Sequence, residues 1–429
     1  MINDDQILEA SKNNETPFYL YDGIRLQETY NMLRKSFHPS LDIFLSLKAN
    51  NNVSIAKLFK DWGAGIEVAS KGELYLALQS GFKPENIIFS GPGKRERDIT
   101  EALNSDIYSI IAESMKEVEQ IIDICKRLNK KARIGLRVNP DFIMAKTTIK
   151  MGGVPRQFGI DESEVWSTIE LILNQKSEHV EFYGIHIYMG TQILSENQII
   201  ENISYTLNLA RKINKQYQIS CPFVNIGGGF GIAYFTNEED IDIKKIINLI
   251  NEKITGFIED YPSTRIIFES GRYLLAKSGN YISKIVYVKE SKGEKFVIID
   301  GGMNHHAAST FRGRYVRNNY PIKLIKQNLS DHVEMETEIV NIVGPLCTPE
   351  DCVGRSVPLP VAEIGDLVCI NNSGAYGLSY SPVFFLGHSM PAELLLMNGK
   401  LHIIRKRGNE KDLLLNQSMC DLACKPHSF

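Results

Sequence analysis

Asp42-Ile43-Phe44-Leu45-Ser46-Leu47-Lys48-Ala49-Asn50 is an apolar run that closes on a lysine, and a helical pattern follows it over residues 53–62. The stretch reads as one strand and one crossover helix. The alternation continues down the chain. Strand-like runs fall at residues 42–49, 65–70, 86–91, 109–113, 132–139, 182–190, 223–229 and 265–272. Amphipathic stretches such as 53–62, 72–80, 115–129, 162–174 and 196–216 lie between them. Parallel strands need crossover connections, and eight β-then-α units in roughly 250 residues predict an α/β fold of the (β/α)8 barrel type. After Ser278 the pattern changes. Runs at 279–289, 295–300, 337–343, 366–371 and 400–407 are separated by Gly, Pro and Asn turns, which predicts a mostly antiparallel all-β domain. The expected division is a barrel over 22–278 and a β-domain from 1–21 and 279–429. An early run at 17–21 could join either unit and is grouped with the second.

The lysine carries the chemistry. Taking an ammonium out of water costs several kcal/mol unless it is paired or deprotonated, so a lysine ending an apolar strand is unusual. In an apolar site it sheds its proton readily and becomes an amine nucleophile; alternatively it snorkels to solvent. The seventh run passes into Gly227-Gly228-Gly229-Phe230-Gly231, which is either a tight turn or a backbone cradle for an anion. It comes late and opens no dinucleotide-binding unit. The eighth ends in Phe268-Glu269-Ser270-Gly271-Arg272, where the acid and the guanidinium form either a structural ion pair or two contacts to a ligand. Barrel enzymes place functional residues at the C-terminal strand ends. A lysine, a phosphate cradle and a buried acid there describe a site for pyridoxal 5'-phosphate, with Glu269 on the pyridine nitrogen and Arg272 on phosphate or a substrate carboxylate.

Composition narrows the class. The 48 basic and 51 acidic residues leave a net charge of −3, so no nucleic-acid footprint is expected. No apolar stretch is long enough to span a bilayer, so no membrane partner is expected either. Met1-Ile2-Asn3-Asp4-Asp5-Gln6 lacks the basic and apolar regions of a secretion signal. Seven scattered cysteines with no CxxC pair suggest a reduced, cytoplasmic protein without a structural zinc site.

Leu47-Lys48-Ala49-Asn50, Glu67-Val68-Ala69-Ser70-Lys71-Gly72-Glu73, Gly184-Ile185-His186 with Gly190-Thr191-Gln192, and the glycine run occur in that order. Glu269-Ser270-Gly271-Arg272, Gly344-Pro345-Leu346-Cys347 and Gly374-Ala375-Tyr376-Gly377 follow. In these segments the chain resembles the fold-type III, alanine-racemase-like pyridoxal phosphate decarboxylases, the group of the diaminopimelate, ornithine and arginine enzymes. The resemblance covers residues 17 to about 395. It implies that Lys48 anchors the cofactor and that Glu269 keeps the pyridine nitrogen protonated, making the ring an electron sink. Tyr188, Thr191, Gly228, Gly229, Gly271, Arg272 and Tyr376 would surround the cofactor and its phosphate. Cys347 would reach the site of a partner subunit in a head-to-tail homodimer and supply a proton after CO2 leaves.

The chain also departs from that pattern. Tyr188 stands where the family carries a histidine stacked on the ring, and His186 reads as a packed residue rather than a base. Thr348 replaces an acid that reads a distal substrate amine. The segment Asp300-Gly301-Gly302-Met303-Asn304-His305-His306, with Phe311-Arg312-Gly313-Arg314, also differs. His305-His306 is read as packing or substrate contact rather than a metal pair.

Runs such as Lys150-Met151-Gly152-Gly153-Val154-Pro155-Arg156, His306-Ala307-Ala308-Ser309-Thr310-Phe311-Arg312 and Leu346-Cys347-Thr348-Pro349-Glu350-Asp351-Cys352 resemble the L-glutamyl-[acyl-carrier protein] decarboxylase branch of antibiotic biosynthesis. That implies glutamate held as a side-chain thioester on an acyl-carrier protein, with Arg272, Arg312, Thr348 and Tyr376 toward the substrate. Arg312, Arg314, Arg317, Lys323 and Lys326 form either a dock for an acidic carrier or a solvated loop face. A decarboxylase of a free amino acid (diaminopimelate, ornithine or lysine) and a catalytically inactive regulatory homologue are the alternatives.

Overall fold

The computed structural model describes residues 2–141, 149–150, 152–175, 178–235, 238–311, 318–327 and 336–420. Eight strands form a closed parallel barrel in chain order: Leu41–Ser46, Gly65–Val68, Ile87–Phe89, Ser109–Ala112, Ala132–Asn139, Val180–His186, Phe223–Asn225 and Arg265–Ser270. The eighth pairs with the first, Phe268 beside Ile43 and Glu269 beside Phe44, which closes the ring. Several strands stop short of the expected runs, because the chain turns over the barrel mouth where the polar residues begin.

Alternation along the strands builds the interior. Phe44, Ile88, Ile111, Phe223 and Ile267 form a buried cluster of their own, while Ile43, Leu45 and Ile66 belong to the larger core packed on the surrounding helices. Both strand faces are therefore apolar, as a helix-wrapped parallel sheet requires. Gly135 makes room for the large rings, since a Cβ there would lie 2.6 Å from the Phe223 ring. Two residues further along each strand, the inward positions are polar: Ser46, Glu67, Ser90, Glu113, Arg137, His186, Asn225 and Glu269. All are buried. The bore is thus a packed apolar floor under a polar ceiling that opens at the C-terminal face.

A second sheet runs in the order Cys352–Pro360, Thr337–Val343, Glu294–Ile299, Gly279–Ser291, Phe18–Asp22, Ala392–Met397 and Lys400–Arg405. Leu367–Ile370 also pairs with Gly279–Ser291 and carries Ile322–Ile325. The early strand joins this sheet, antiparallel to Gly279–Ser291 and parallel to Ala392–Met397. Most pairings are antiparallel as expected, but this one and that of Glu294–Ile299 with Thr337–Val343 are parallel. Distant segments meet there without a hairpin to set their direction. Among the described residues no helix is long and apolar enough to cross a membrane.

Candidate active site

The first barrel strand ends at Ser46, and Leu47–Ala49 forms a single 3-10 turn. Leu47 and Ala49 turn into the core and Lys48 turns to the barrel mouth. Ser46 pairs in register with Glu67 on the neighbouring strand. That register brings Lys48 Nζ to 3.1 and 3.0 Å from the Glu67 carboxylate oxygens. Glu67 is 1% exposed and accepts a further hydrogen bond from the Ser90 hydroxyl. The Lys48 side chain keeps 45% exposure, through the cavity it faces.

Charge settles the protonation of the pair. Burial disfavours the Lys48 ammonium, but Glu67 above all, with Tyr376 and Glu269, outweighs it and raises the lysine's pKa above its ordinary value. This corrects the expectation of an apolar site in which Lys48 sheds its proton readily. Burial likewise works against the Glu67 carboxylate, yet the Lys48 charge and the Ser90 hydroxyl hold it below the usual carboxylate range. Glu269 goes the other way: burial, then repulsion from Glu67, pushes its carboxyl above that range against Lys48 and Asn225. Two buried acids in one ceiling are thereby split into different roles. Asn225 Nδ2 donates to Glu269 Oε1 at 2.6 Å. His186 Nε2 lies 3.6 Å from Glu269 Oε2, but burial, with Arg137, drops the imidazole's pKa well below its ordinary value, so it stays neutral.

Arg272 does not pair with Glu269, and among the described residues no carboxylate lies within ion-pair distance of it. Its guanidinium lies between the rings of Tyr376, 4.7 Å away, and Tyr234, 5.4 Å away, and Nη1 donates to the Tyr234 hydroxyl at 3.0 Å. Its Nε is buried without a partner. Tyr376 holds a left-handed backbone, φ +56°, fixed by its N–H donating to the Ala49 carbonyl at 2.7 Å.

Ser46, Lys48, Tyr188, Thr191, Gly229, Phe230, Glu269, Ser270, Gly271, Arg272 and Tyr376 line one cavity. Of the residues expected around a cofactor only Gly228 stands apart, backed onto the Glu269 carbonyl, which a Cβ would meet at 1.7 Å. Gly229 has φ +83°, and a Cβ there would lie 2.1 Å from the Gly190 carbonyl, so that turn admits glycine alone.

Cys347 and Thr348 are elsewhere. Cys347 is exposed, and neither residue lines the Lys48 cavity. Their loop is tied down by Asp351, whose buried carboxylate accepts from Met303 N at 2.6 Å and Leu346 N at 2.8 Å. Arg312, Arg314 and Arg317 lie outside the described residues. Lys323 pairs with Asp4, and Lys326 with Glu363 and Asp366 at 3.0 and 2.9 Å. Of the five basic residues expected as a carrier dock or a solvated loop face, these two are among the described residues, and both are ion-paired within the chain.

Glu67, Ser90, Asn225 and Tyr234 were not singled out by residue pattern. The first three are inward positions two residues above the apolar floor, a signal that becomes readable once strand register is known.

The arrangement fits a phosphorylated pyridine aldehyde: an amine, a buried acid facing the same cavity, a glycine cradle, and a guanidinium with no carboxylate partner among the described residues. Residues 24–276 match the family model of the pyridoxal-dependent decarboxylases, pyridoxal binding domain. The chain belongs to the pyridoxal-dependent decarboxylases. It is a pyridoxal-phosphate-dependent carboxy-lyase, and the relatives bear this out across its whole length. It is 50% identical over 413 residues to the L-glutamyl-[BtrI acyl-carrier protein] decarboxylase of Niallia circulans, covering 96% of each chain. The diaminopimelate decarboxylase of Campylobacter jejuni is 33% identical over 401 residues, 92% of this chain and 94% of that one. The crystal structure of diaminopimelate decarboxylase from Helicobacter pylori complexed with L-lysine superposes with a TM-score of 0.84 at 32% identity, covering 95% of this chain and 98% of that one. In this decarboxylase, as in that structure, a barrel and a β-sheet domain make up the fold.

Proposed function

We propose that this decarboxylase removes the α-carboxyl of glutamate carried as a side-chain thioester on an acyl-carrier protein, giving 4-aminobutyryl-carrier, in natural-product biosynthesis. The observation that carries the reading is the 50% identity across nearly the whole length of an enzyme named for that substrate. Thr348 supports it, because an uncharged residue there offers nothing to a free distal ammonium, and a buried unpaired charge is costly. Asp351 on the same loop is already used by Met303 N and Leu346 N.

Lys48 and Glu269 would hold the cofactor at its two reactive ends, and Gly229, Thr191, Arg272 and Tyr376 would hold its phosphate, with Tyr188 against the ring. When bound, the cofactor supplies an electron sink for the pair left as the α-carboxylate departs as CO2. Glu67 keeps Lys48 oriented and would be the nearest acceptor for the ammonium proton that has to leave for Nζ to serve as an amine. Glu269 keeps a proton at a ring nitrogen, and its orientation is fixed by Asn225 Nδ2. Tyr188 and Tyr376 wall the cavity and limit water. The Cys347 thiol delivers a proton to the α-carbon. It lies outside the cavity of its own chain, so the reading includes a homodimer in which each Cys347 serves the partner's Lys48. A cytoplasmic location is part of the same proposal.

The test offers the loaded enzyme glutamyl-carrier thioester, free glutamate, ornithine, lysine and diaminopimelate separately, and follows CO2 loss by mass spectrometry. Loss from the carrier thioester alone is expected. Turnover of only the free diamino acids overturns the reading.

A further inference from the structure

The Arg272 clamp has two walls, and one buried histidine braces both of them. His306 is fully buried at the end of the helical turn Met303–His306. Its Nδ1 accepts from Ser309 N at 3.1 Å, so Nε2 carries the hydrogen, and Nε2 lies 2.8 Å from Ser373 Oγ. Ser373 Oγ in turn donates to the Ile370 carbonyl at 2.7 Å. These partners hold the imidazole in one orientation and tautomer. Ser373 opens the loop that carries Tyr376, three residues on, which is one wall of the clamp.

The other wall is reached through rings. The His306 ring meets Tyr320 edge-on at 5.5 Å, and Tyr320 packs on Tyr234 at 4.8 Å. Tyr234 accepts the Arg272 Nη1 hydrogen bond. On its far side His306 stacks on Tyr19 at 6.0 Å, in the strand at the centre of the second sheet. The imidazole is therefore wedged between a rigid sheet and both supports of one guanidinium. We infer that His306 is a positioning residue that sets the Arg272 guanidinium for the phosphate end of the cofactor. His306 does so by hydrogen bonding to the Tyr376 loop and by packing on the Tyr320–Tyr234 stack. The two routes are separable: the nitrogens govern one wall and the ring governs the other.

The inference rests on Arg272 holding phosphate, and the experiment separates the two. The affinities of the enzyme for pyridoxal 5'-phosphate and for pyridoxal are measured by the near-visible absorbance each gives with Lys48, and the ratio of the two Kd values reports the phosphate contact alone. His306→Phe keeps a ring against Tyr320 and Tyr19 and removes both nitrogens. It is expected to weaken pyridoxal 5'-phosphate about tenfold, the scale of one charge-assisted hydrogen bond, and to leave pyridoxal unchanged. Ser373→Ala, which keeps His306 and serves if His306→Phe does not fold, should do the same. The double variant should be no worse than either single, because both cut one connection. His306→Gln, which retains a donor toward Ser373, should recover most of the loss. Equal weakening of both ligands, or none, in His306→Phe or Ser373→Ala overturns the role of His306. If Arg272→Gln also leaves the ratio unchanged, the placing of phosphate at Arg272 fails instead.

Discussion

The two halves of the chemistry are built differently. Around Lys48, eight strand ends converge and the two acids are held by neighbouring strands: Glu67 in register with Ser46, and Glu269 by the Asn225 hydrogen bond. Around Cys347 there is a loop, exposed at the thiol and held from beneath by Asp351. The enclosed half fixes charge and geometry before anything binds. The open half holds the Cys347 thiol at the surface of its own chain, where in the proposed reaction a second molecule would use it.

Lys48→Ala is the sharpest cut on the enclosed side. It should abolish the cofactor's near-visible absorbance and lower decarboxylation by about 10⁴-fold or more, since the covalent anchor proposed at Lys48 has no substitute. Cys347→Ala cuts the open side and should cost less, about 10²–10³-fold in kcat, with the absorbance intact, as expected for loss of a proton donor. Unchanged amine release in that variant removes Cys347 from the mechanism. Mixing the two inactive proteins under subunit exchange brings the halves back together. If sites are shared across a dimer, mixed dimers hold one complete site, and activity should return to about a quarter of the unmutated level. No recovery on mixing means that each chain's Cys347 serves its own Lys48.

A smaller effect is expected at Glu67. Glu67→Gln should lower kcat about tenfold by loosening Lys48, while the absorbance persists. The acid limb of stability reports the same contact. The Glu67 carboxyl is held below its ordinary value of 4.5 in the folded protein. Its contribution is therefore fully present above that value and is lost as the pH falls through the depressed one. Thermal unfolding of Glu67→Gln should depend less on pH below 4.5 than that of the unmutated chain. An identical acid profile would show that the ion pair adds nothing to folding.

Much of this was legible in the residues, for physical reasons that also mark the limit. Apolar runs announced all eight barrel strands, because a strand buried on both faces has little freedom of composition. Lys48, Glu269 and Arg272 were legible as charges out of place at strand ends. Glu67 was equally out of place, but its meaning depends on which residue it faces across the sheet, and register is not written in one strand. The ion pairing of Lys323 and Lys326 likewise depends on Asp4 and Asp366, residues far away in the chain. Tyr234 looked like any aromatic after a glycine turn until its hydroxyl was seen on Arg272. The strands Cys352–Pro360 and Ala392–Met397 escaped notice because prolines and short runs hid their period.

The strand Phe18–Asp22 lies between Gly279–Ser291 and Ala392–Met397. On the ribosome this segment emerges before all the barrel strands, and its parallel neighbour after all of them. The barrel strands, all lying between, can close while Phe18–Asp22 still has both edges bare. Completion of the second sheet is then a long-range closure that waits until the chain beyond the barrel has been made, the slow kind of contact in folding. Such a strand, with every residue buried in the finished protein, is the segment that a chaperone has most reason to hold in the interval.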